Sequence, residues 1–297
     1  MLKRSLGCLW KLPLCGVAFL IGMVLSGAIL PPLGLESPPI PAGTDPNTIL
    51  LWFLLGSLIL AFALSFVSRG LQGGFLVRWL AMGVLAWAIG AVGMVLEAYF
   101  FMTTGAVSSA SSALFTVLNF LLPSLAVAAM VALLFRPGDR GGGFPASLRS
   151  FFRARTIPEW SWRMLAAIVA FPVIYIAFGE LVLPLVGPYY VQGAYELALP
   201  SWSQIIPLQL ARSVLFLLVC LPILVMWRGS RRGLVLSLGL ATSVLVGFMP
   251  VITSYWFPWQ MRLFHGLEIM ADSFVYAWVL VALLVKCEKI PSFPNPL

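Results

Sequence analysis

The stretch Gln260–Lys286, QMRLFHGLEIMADSFVYAWVLVALLVK, decides the fold class of this chain. Its apolar run is long enough to cross a bilayer, because a transmembrane helix needs about 20 mostly apolar residues. Four ionisable residues interrupt its first half: Arg262, His265, Glu268 and Asp272. At ~100° per residue, these four fall within about a third of the helix circumference. Charged groups inside a membrane normally face a bundle interior or a water-filled cavity, so the stretch predicts a helix bundle with a polar interior.

Composition extends this prediction to the whole chain of 297 residues, which is 61% hydrophobic and only 9% charged. Soluble domains are usually about 25% charged, so a soluble fold is excluded. We therefore predict an all-α, polytopic integral membrane bundle that forms a single domain over residues 1–297. The net charge of +8 would suggest nucleic acid as a partner of a soluble protein. Here the basic residues lie in short loops between apolar segments, so we expect the lipid bilayer as partner and no nucleic acid.

Hydropathy predicts about eight transmembrane spans in the sequence. Their expected bounds are 12–30, 48–68, 79–102, 112–135, 164–186, 204–227, 233–252 and 260–286. The first could also be a cleaved signal peptide, because Ser26, Gly27 and Ala28 resemble a cleavage site. An uncleaved span is favoured, because the apolar run continues past that site.

Basic residues predict the orientation. With both termini on one side, all 18 Lys and Arg residues except Arg212 and Arg262 fall in segments on that side. The positive-inside rule makes it the cytoplasmic side, and we expect the protein in the bacterial cytoplasmic (inner) membrane. The longest of these segments is the basic loop 136–163. It is either an interfacial amphipathic helix that binds anionic lipid or an ordinary positive-inside loop.

Small residues predict which spans pack centrally, because they let helix backbones approach closely. They are dense in the third and the seventh predicted spans: Gly83, Ala86, Gly90 and Gly93 in one, Ser237, Ala241, Ser243 and Gly247 in the other. We therefore expect these two spans at the centre of the bundle.

Polar residues of other spans lie at the same depth as those of the last span. With ~1.5 Å of rise per residue, Glu97, Glu180 and Arg212 all fall in the outer half of the membrane. Asn119 and Gln209 lie at this level too and are predicted as a secondary polar lining. The candidate substrate, ion or proton-relay site, which we call the ionisable cluster, is Glu97, Glu180, Arg212, Arg262, His265, Glu268 and Asp272.

The charges of the ionisable cluster do not balance. Four carboxylates stand against two guanidinium groups, and Glu268 and Asp272 are four residues apart on one helix, where two ionised carboxylates repel. A carboxyl that stays protonated, a proton on His265 or a bound cation would each resolve the repulsion. The first two predict a proton-titrating site, and the third predicts a cation site.

A structural interpretation of the same residues also stands. Arg212 with Glu180, and Arg262 with Glu97, would then be ion pairs that hold helices together.

Cofactor signatures are absent from the sequence. The one histidine argues against a bis-histidine haem or a multi-histidine zinc centre, and the four cysteines lack CxxC spacing. The sequence therefore assigns no cofactor, no metal and no catalytic residue.

Three functions remain, and each predicts a different structure. The favoured one is a small-solute or ion transporter with proton- or cation-linked carboxylates, which predicts a solvent-connected cavity that reaches Asp272. A non-catalytic membrane subunit or assembly factor predicts that all seven charges are paired and buried, without a cavity. An intramembrane enzyme acting on a lipid-linked substrate at the outer leaflet predicts His265 within ~3 Å of a carboxylate. The oligomeric state is not predicted.

Overall fold

The computed structural model describes residues 10–39, 45–102, 109–137, 143–192 and 196–286. Helix makes up 84% of the structure, and the described residues contain no strand beyond two isolated β-bridges. Eight helices are long and apolar enough to cross a membrane. The predicted all-α class and the number of spans are confirmed.

Nine continuous helices of at least ten residues are found in the described part of the chain. Their bounds are α1 Lys11–Ile29, α2 Pro46–Gly70, α3 Phe75–Phe101, α4 Ala110–Leu134, α5 Phe144–Arg153, α6 Ile157–Val191, α7 Trp202–Met226, α8 Arg231–Thr253 and α9 Trp259–Leu284. The span candidates are α1–α4 and α6–α9, whereas α5 is too short to cross a membrane.

The predicted span bounds agree with the helices to within a few residues, except at α6. This helix has 35 residues and begins before Arg163, where the sequence predicts a loop. Its second residue, Pro158, suits the first turn, because the N–H that proline lacks has no partner there anyway. Glu159 in the same turn favours the helix through the positive end of the helix dipole.

The basic loop 136–163 contains the short helix α5, whose apolar face lies on the protein itself. The rings of Phe151 and Phe152 pack on Trp160 with centroid distances of 4.9 and 5.3 Å. Arg149 and Arg153 are exposed on the opposite face. The loop is therefore more than an extended connection. Binding of anionic lipid to its arginines stays a prediction, and residues 138–142 lie outside the described part.

The helices α7 and α8 have the most buried spans, with 61% and 67% of the residues in the apolar stretch inside the protein, and α3 follows with 50%. The prediction from small residues is confirmed for α8 and, less strongly, for α3. Helix α7 also lies centrally, although it is not rich in small residues.

Basic side chains cap the carbonyl ends of two helices at one end of the bundle, which we call the basic end. Free carbonyl groups and the negative end of the dipole make a helix C-terminus a favourable place for cations. The bonds are Lys11 Nζ to Leu134 O at 2.9 Å, Arg78 Nη2 to Ala132 O at 2.9 Å, Arg155 Nη1 to Leu284 O at 2.6 Å, Arg163 Nη1 to Leu283 O at 2.7 Å and Arg231 Nη2 to Val281 O at 2.9 Å. The charges that predict orientation thus also hold α4 and α9 in place.

Arg78 is predicted as a loop residue, and this prediction is wrong. Arg78 lies in the first turn of α3 and is only 4% exposed. Its Nη1 donates to Ser68 Oγ at 3.2 Å, and Ser68 Oγ donates to the carbonyl of Phe135 at 2.7 Å. The turn from α2 to α3 is short because Gly73 takes a positive φ of 98°, so the helix begins before the arginine.

We expect Arg78→Met to lower the free energy of unfolding by about 2 kcal/mol, because hydrogen bonds from a charged donor are lost while the apolar volume stays similar. Thermal unfolding in detergent, followed by tryptophan fluorescence, measures this change. Arg149→Met on the exposed face of α5 is the control and is expected to leave the midpoint unchanged. Equal unfolding midpoints for both variants would show that the hydrogen bonds of Arg78 do not stabilise the protein.

Candidate functional site

A cavity of about 490 Å³ opens in the half of the bundle away from the basic end. We call it the main cavity. Its walls come from the last turns of α3, the second half of α6, the first turn of α7, the end of α8 and the start of α9. Ligand pockets usually have volumes of about 300–1,000 Å³, so the main cavity is large enough for a small organic molecule.

The wall of the main cavity is mostly apolar. Met94, Phe101, Ile176, Val186 and Ile205 are among its aliphatic and aromatic residues. Against this apolar wall stand five of the seven residues of the ionisable cluster: Glu97, Glu180, Arg262, His265 and Glu268.

The other two residues of the cluster, Arg212 and Asp272, line a second cavity of about 20 Å³, the small cavity. Both cavities share Glu97, Tyr175, Val246 and Ile269 as wall residues, so they are neighbours. The structure therefore places the cluster around two adjoining cavities. Asp272 belongs to the small one and not to the main one.

Arg212 forms an ion pair with Glu97 deep in the bundle, with Nη1 2.9 Å from Oε1. The two side chains are only 4% and 17% exposed. The Tyr175 hydroxyl donates to Glu97 Oε1 at 3.3 Å, and Arg212 Nη1 donates to Gln209 Oε1 at 3.1 Å. A buried ion pair is favourable only when further hydrogen bonds compensate the loss of water, and this one has them.

The sequence-based pairing of the arginines is wrong. Arg212 pairs with Glu97 and not with Glu180. Arg262 uses Nε to donate to the carbonyl of Val251 at 2.6 Å, which ties the start of α9 to the end of α8. Spacing along one helix cannot show which neighbouring helix supplies the partner.

Glu180 lines the main cavity, and its side chain is exposed. No hydrogen bond or ion pair joins its carboxylate to any residue in the part of the chain that the structure describes. This carboxylate is therefore available to a ligand.

His265 and Glu268 form a hydrogen-bonded pair one turn apart on α9. His265 Nδ1 lies 2.6 Å from Glu268 Oε2. The Glu268 side chain is 3% exposed, whereas that of His265 is 31% exposed and lies at the cavity wall. A Cβ on Gly179 of α6 would lie 3.5 Å from Glu268 Oε1, an ordinary contact distance, so α6 packs directly against this carboxylate. The pair can take up or release a proton at the surface of the cavity.

The two residues predicted as secondary lining border neither cavity. Asn119 ends the first part of α4, where its Nδ2 lies 3.9 Å from Met23 Sδ of α1. It is remote from the cluster because α4 packs on α1 and α3. Gln209 is fully buried and contacts the site indirectly, because its Oε1 accepts a hydrogen bond from Arg212.

Sequence reasoning missed the aromatic residues beneath the cavities. The ring centroid of Phe171 lies 5.0 Å from that of Phe216, in a tilted arrangement, and 4.9 Å from that of Tyr276, edge to face. The Arg212 guanidinium lies 5.8 to 6.0 Å from the ring centres of Phe171, Tyr175 and Phe216. We call Phe171, Phe216 and Tyr276 the aromatic layer. It separates the small cavity from the apolar core towards the basic end. Its three residues come from three different helices, so no spacing within one segment of the sequence indicates it.

Two π-helical segments lie beside the cavities, Ala88–Gly93 in α3 and Val244–Phe248 in α8. They pack on each other, and a Cβ on Gly90 would lie 3.2 Å from Leu245 Cδ2. The first segment leads directly to Glu97, and the second contains Val246, which borders both cavities. Single π-helical turns inside α-helices often occur at functional sites.

Metal ligands are not grouped in the described residues: no three His, Cys, Asp or Glu side chains are placed to hold one ion. The site is an apolar chamber with the His265–Glu268 pair in its wall and the Arg212–Glu97 ion pair at its base. It also holds the carboxylate of Glu180, which has no partner among the described residues. Comparison of the chain with family models, with curated proteins and with solved structures finds no match.

Proposed function

We propose that this protein is a small-solute transporter that exchanges its solute for a proton at the His265–Glu268 pair. One observation carries the proposal: the main cavity of about 490 Å³ has this pair in its wall. Ionisable residues within a membrane mark substrate or ion pathways, proton relays, voltage sensors or counter-ions of ligands, and the first two suit a transporter.

For a cationic solute, exchange with a proton follows from charge. A proton taken up by the pair adds one positive charge to the cavity wall, which weakens the binding of a cation and strengthens that of an anion. Apolar walls lower the local dielectric constant, so the effect on solute affinity is larger than at a protein surface. The charged groups that face the pair come from three other helices and its own: Glu97 from α3, Glu180 from α6, Arg212 from α7, and Arg262 and Asp272 from α9.

Alternating access needs a barrier on the other side of the site, and the aromatic layer fits that role. Beneath it, Cys220, Ile223 and Leu280 are fully or almost fully buried. The three rings of the aromatic layer come from α6, α7 and α9, so these helices would have to move apart to open the barrier. With the basic end in the cytoplasm, the main cavity would face outwards.

Reconstitution into proteoliposomes tests the proposal. Vesicles with an acidic interior and an enclosed pH-sensitive dye would receive solutes of four charge classes from outside: tetraethylammonium, benzoate, leucine and glucose. We expect at least one of them to speed up the exit of protons above the rate in protein-free vesicles. Protein that reconstitutes folded and moves protons with none of the four would refute the transport proposal.

The variant Glu268→Gln is expected to lower the solute-driven proton flux by about tenfold or more, because the amide cannot share a proton with His265. Glu36→Gln is the matched control. It removes the same charge from an exposed loop residue outside both cavities. Equal flux in both variants would exclude the pair as the proton carrier.

A second function, an enzyme acting on a lipid-linked substrate, is favoured by the distance of 2.6 Å between His265 and Glu268. A histidine oriented by a carboxylate is a general base in many active sites. Mass spectrometry of lipids from the same proteoliposomes, prepared with bacterial lipid extract, separates the two functions. A new lipid product that disappears in His265→Ala would favour the enzyme over the transporter.

A further inference from the structure

We infer that the ligand of the main cavity is a monovalent organic cation with an apolar body. This inference rests on the proposed function, because it names the class of solute that would be transported. It concerns binding alone, however, and is tested without transport. Three features of the site carry it: its walls, its charge balance and the free carboxylate of Glu180.

The walls select an apolar body. Most of the residues that line the main cavity carry aliphatic or aromatic side chains, and its volume far exceeds that of an inorganic ion. Burial of apolar ligand surface contributes roughly 25 cal/mol per Å², so this chamber favours a carbon-rich molecule over a hydrated one. Tyr175, Tyr190 and Phe257 add aromatic surface, which attracts organic cations through the ring quadrupole.

The charge balance of the site favours a positively charged ligand. Three carboxylates line the main cavity, from Glu97, Glu180 and Glu268. Two guanidinium groups oppose them. That of Arg212 is bound to Glu97, and that of Arg262 is held at the carbonyl of Val251. When Glu268 is ionised and His265 is neutral, one negative charge remains in excess at the main cavity. An anionic ligand would meet repulsion here, whereas a monovalent cation completes the balance.

Glu180 is the residue best placed to contact the positive centre of the ligand. Glu97 has its partner in Arg212 and Glu268 has its partner in His265, whereas the carboxylate of Glu180 has none within the described residues. It borders the main cavity from α6, across from the start of α9. Because its side chain is exposed at the cavity, this carboxylate can contact a cationic ligand without first breaking a bond to another described residue. Glu180 is therefore the residue we expect beside the positive centre of the ligand.

Two probe ions of nearly the same shape and opposite charge test the inference. Tetraphenylphosphonium and tetraphenylborate, as chloride and sodium salts, would be titrated by equilibrium dialysis against the purified protein in detergent, with protein-free micelles as the blank. We expect tetraphenylphosphonium to bind at least about tenfold more tightly than tetraphenylborate.

Glu180→Gln is expected to weaken tetraphenylphosphonium binding about fivefold to tenfold and to leave tetraphenylborate unaffected or slightly tighter. Glu36→Gln, which changes the net charge of the protein equally, should bind both ions like the parent. A thermal unfolding scan of each variant shows that it is folded.

The outcomes separate this inference from the proposed function. Preference for tetraphenylborate, equal binding of both ions, or no binding of either overturns the cationic ligand, whatever the proteoliposomes show. An effect of Glu36→Gln as large as that of Glu180→Gln would also overturn it, because the attraction would then be unspecific. Selective binding of the cation without any solute-driven proton flux would instead retain the ligand class and refute transport.

Discussion

Replacing Arg212 by Met is expected to lower the free energy of unfolding by about 3–5 kcal/mol, the largest effect of any single change proposed for this protein. The substitution leaves Glu97 without its counter-charge while its side chain remains only 17% exposed. It also leaves Gln209 without its donor in a fully buried position. Methionine fills much of the space among the aromatic rings, so the loss reports charge and hydrogen bonding more than packing. Thermal or denaturant unfolding in detergent measures it.

The double variant Glu97→Gln with Arg212→Met is the decisive control. It removes both charges, and Tyr175 can still donate to the side-chain oxygen of the new glutamine. Replacing both members of a buried ion pair is often close to neutral, so we expect this variant within about 1 kcal/mol of the parent. If the double variant were as unstable as Arg212→Met, the ion pair would not be the cause. The effect would then be assigned to the contacts of the guanidinium with the aromatic layer and with Tyr175.

The second large effect is expected from Gly22→Leu in α1. A Cβ at this position would lie 2.6 Å from Cα and 2.7 Å from the nitrogen of Pro123 in α4. Both atoms are backbone and cannot rotate away, so the helices would have to separate. Overpacking usually costs about 1–3 kcal/mol, and a clash with backbone places this variant at about 3 kcal/mol or more.

Gly27→Leu provides the control within the same helix, because a Cβ on Gly27 would have no atom within 4 Å. We expect its unfolding midpoint to equal or exceed that of the parent, since leucine has a higher helix propensity than glycine. A comparable loss of stability in both variants would show that α1 does not pack on α4 through Gly22. Proton flux should be retained by folded Gly22→Leu protein, because neither residue borders a cavity.

The spans and the depth of the polar residues in the membrane could be predicted from the sequence, because both depend on local properties. Hydropathy over about 20 residues marks each span. A fixed rise per residue then places Glu97, Glu180 and Arg212 at the level of His265. The start of α6 and the helical position of Arg78 differ from the prediction, because a charged residue near a helix end resembles a loop residue. In the structure, the long side chain of Arg78 finds carbonyl and hydroxyl acceptors on α2 and α4.

Partners within the site could not be predicted, because they depend on which helices are neighbours and how each is rotated. Arg212 and Glu97 meet because α7 lies against α3 near their shared depth. Asn119 shares this depth and yet borders neither cavity, because α4 packs against α1 on the other side of the bundle. The depth of a residue follows from its own helix, whereas its contacts depend on how all the helices of the bundle pack.

The π-helical segments also change how the sequence of α3 and α8 must be interpreted. Each accommodates additional chain within a helix, so residues on its two sides no longer follow one helical wheel. Glu97 comes four residues after Gly93, the last residue of its segment, and its direction cannot be extrapolated from Arg78 or Gly83. Inserting or deleting one residue here would rotate all the side chains beyond it by ~100° about the helix axis. These two helices are therefore best treated, in engineering or in comparison with other chains, as four half-helices with separate angular registers.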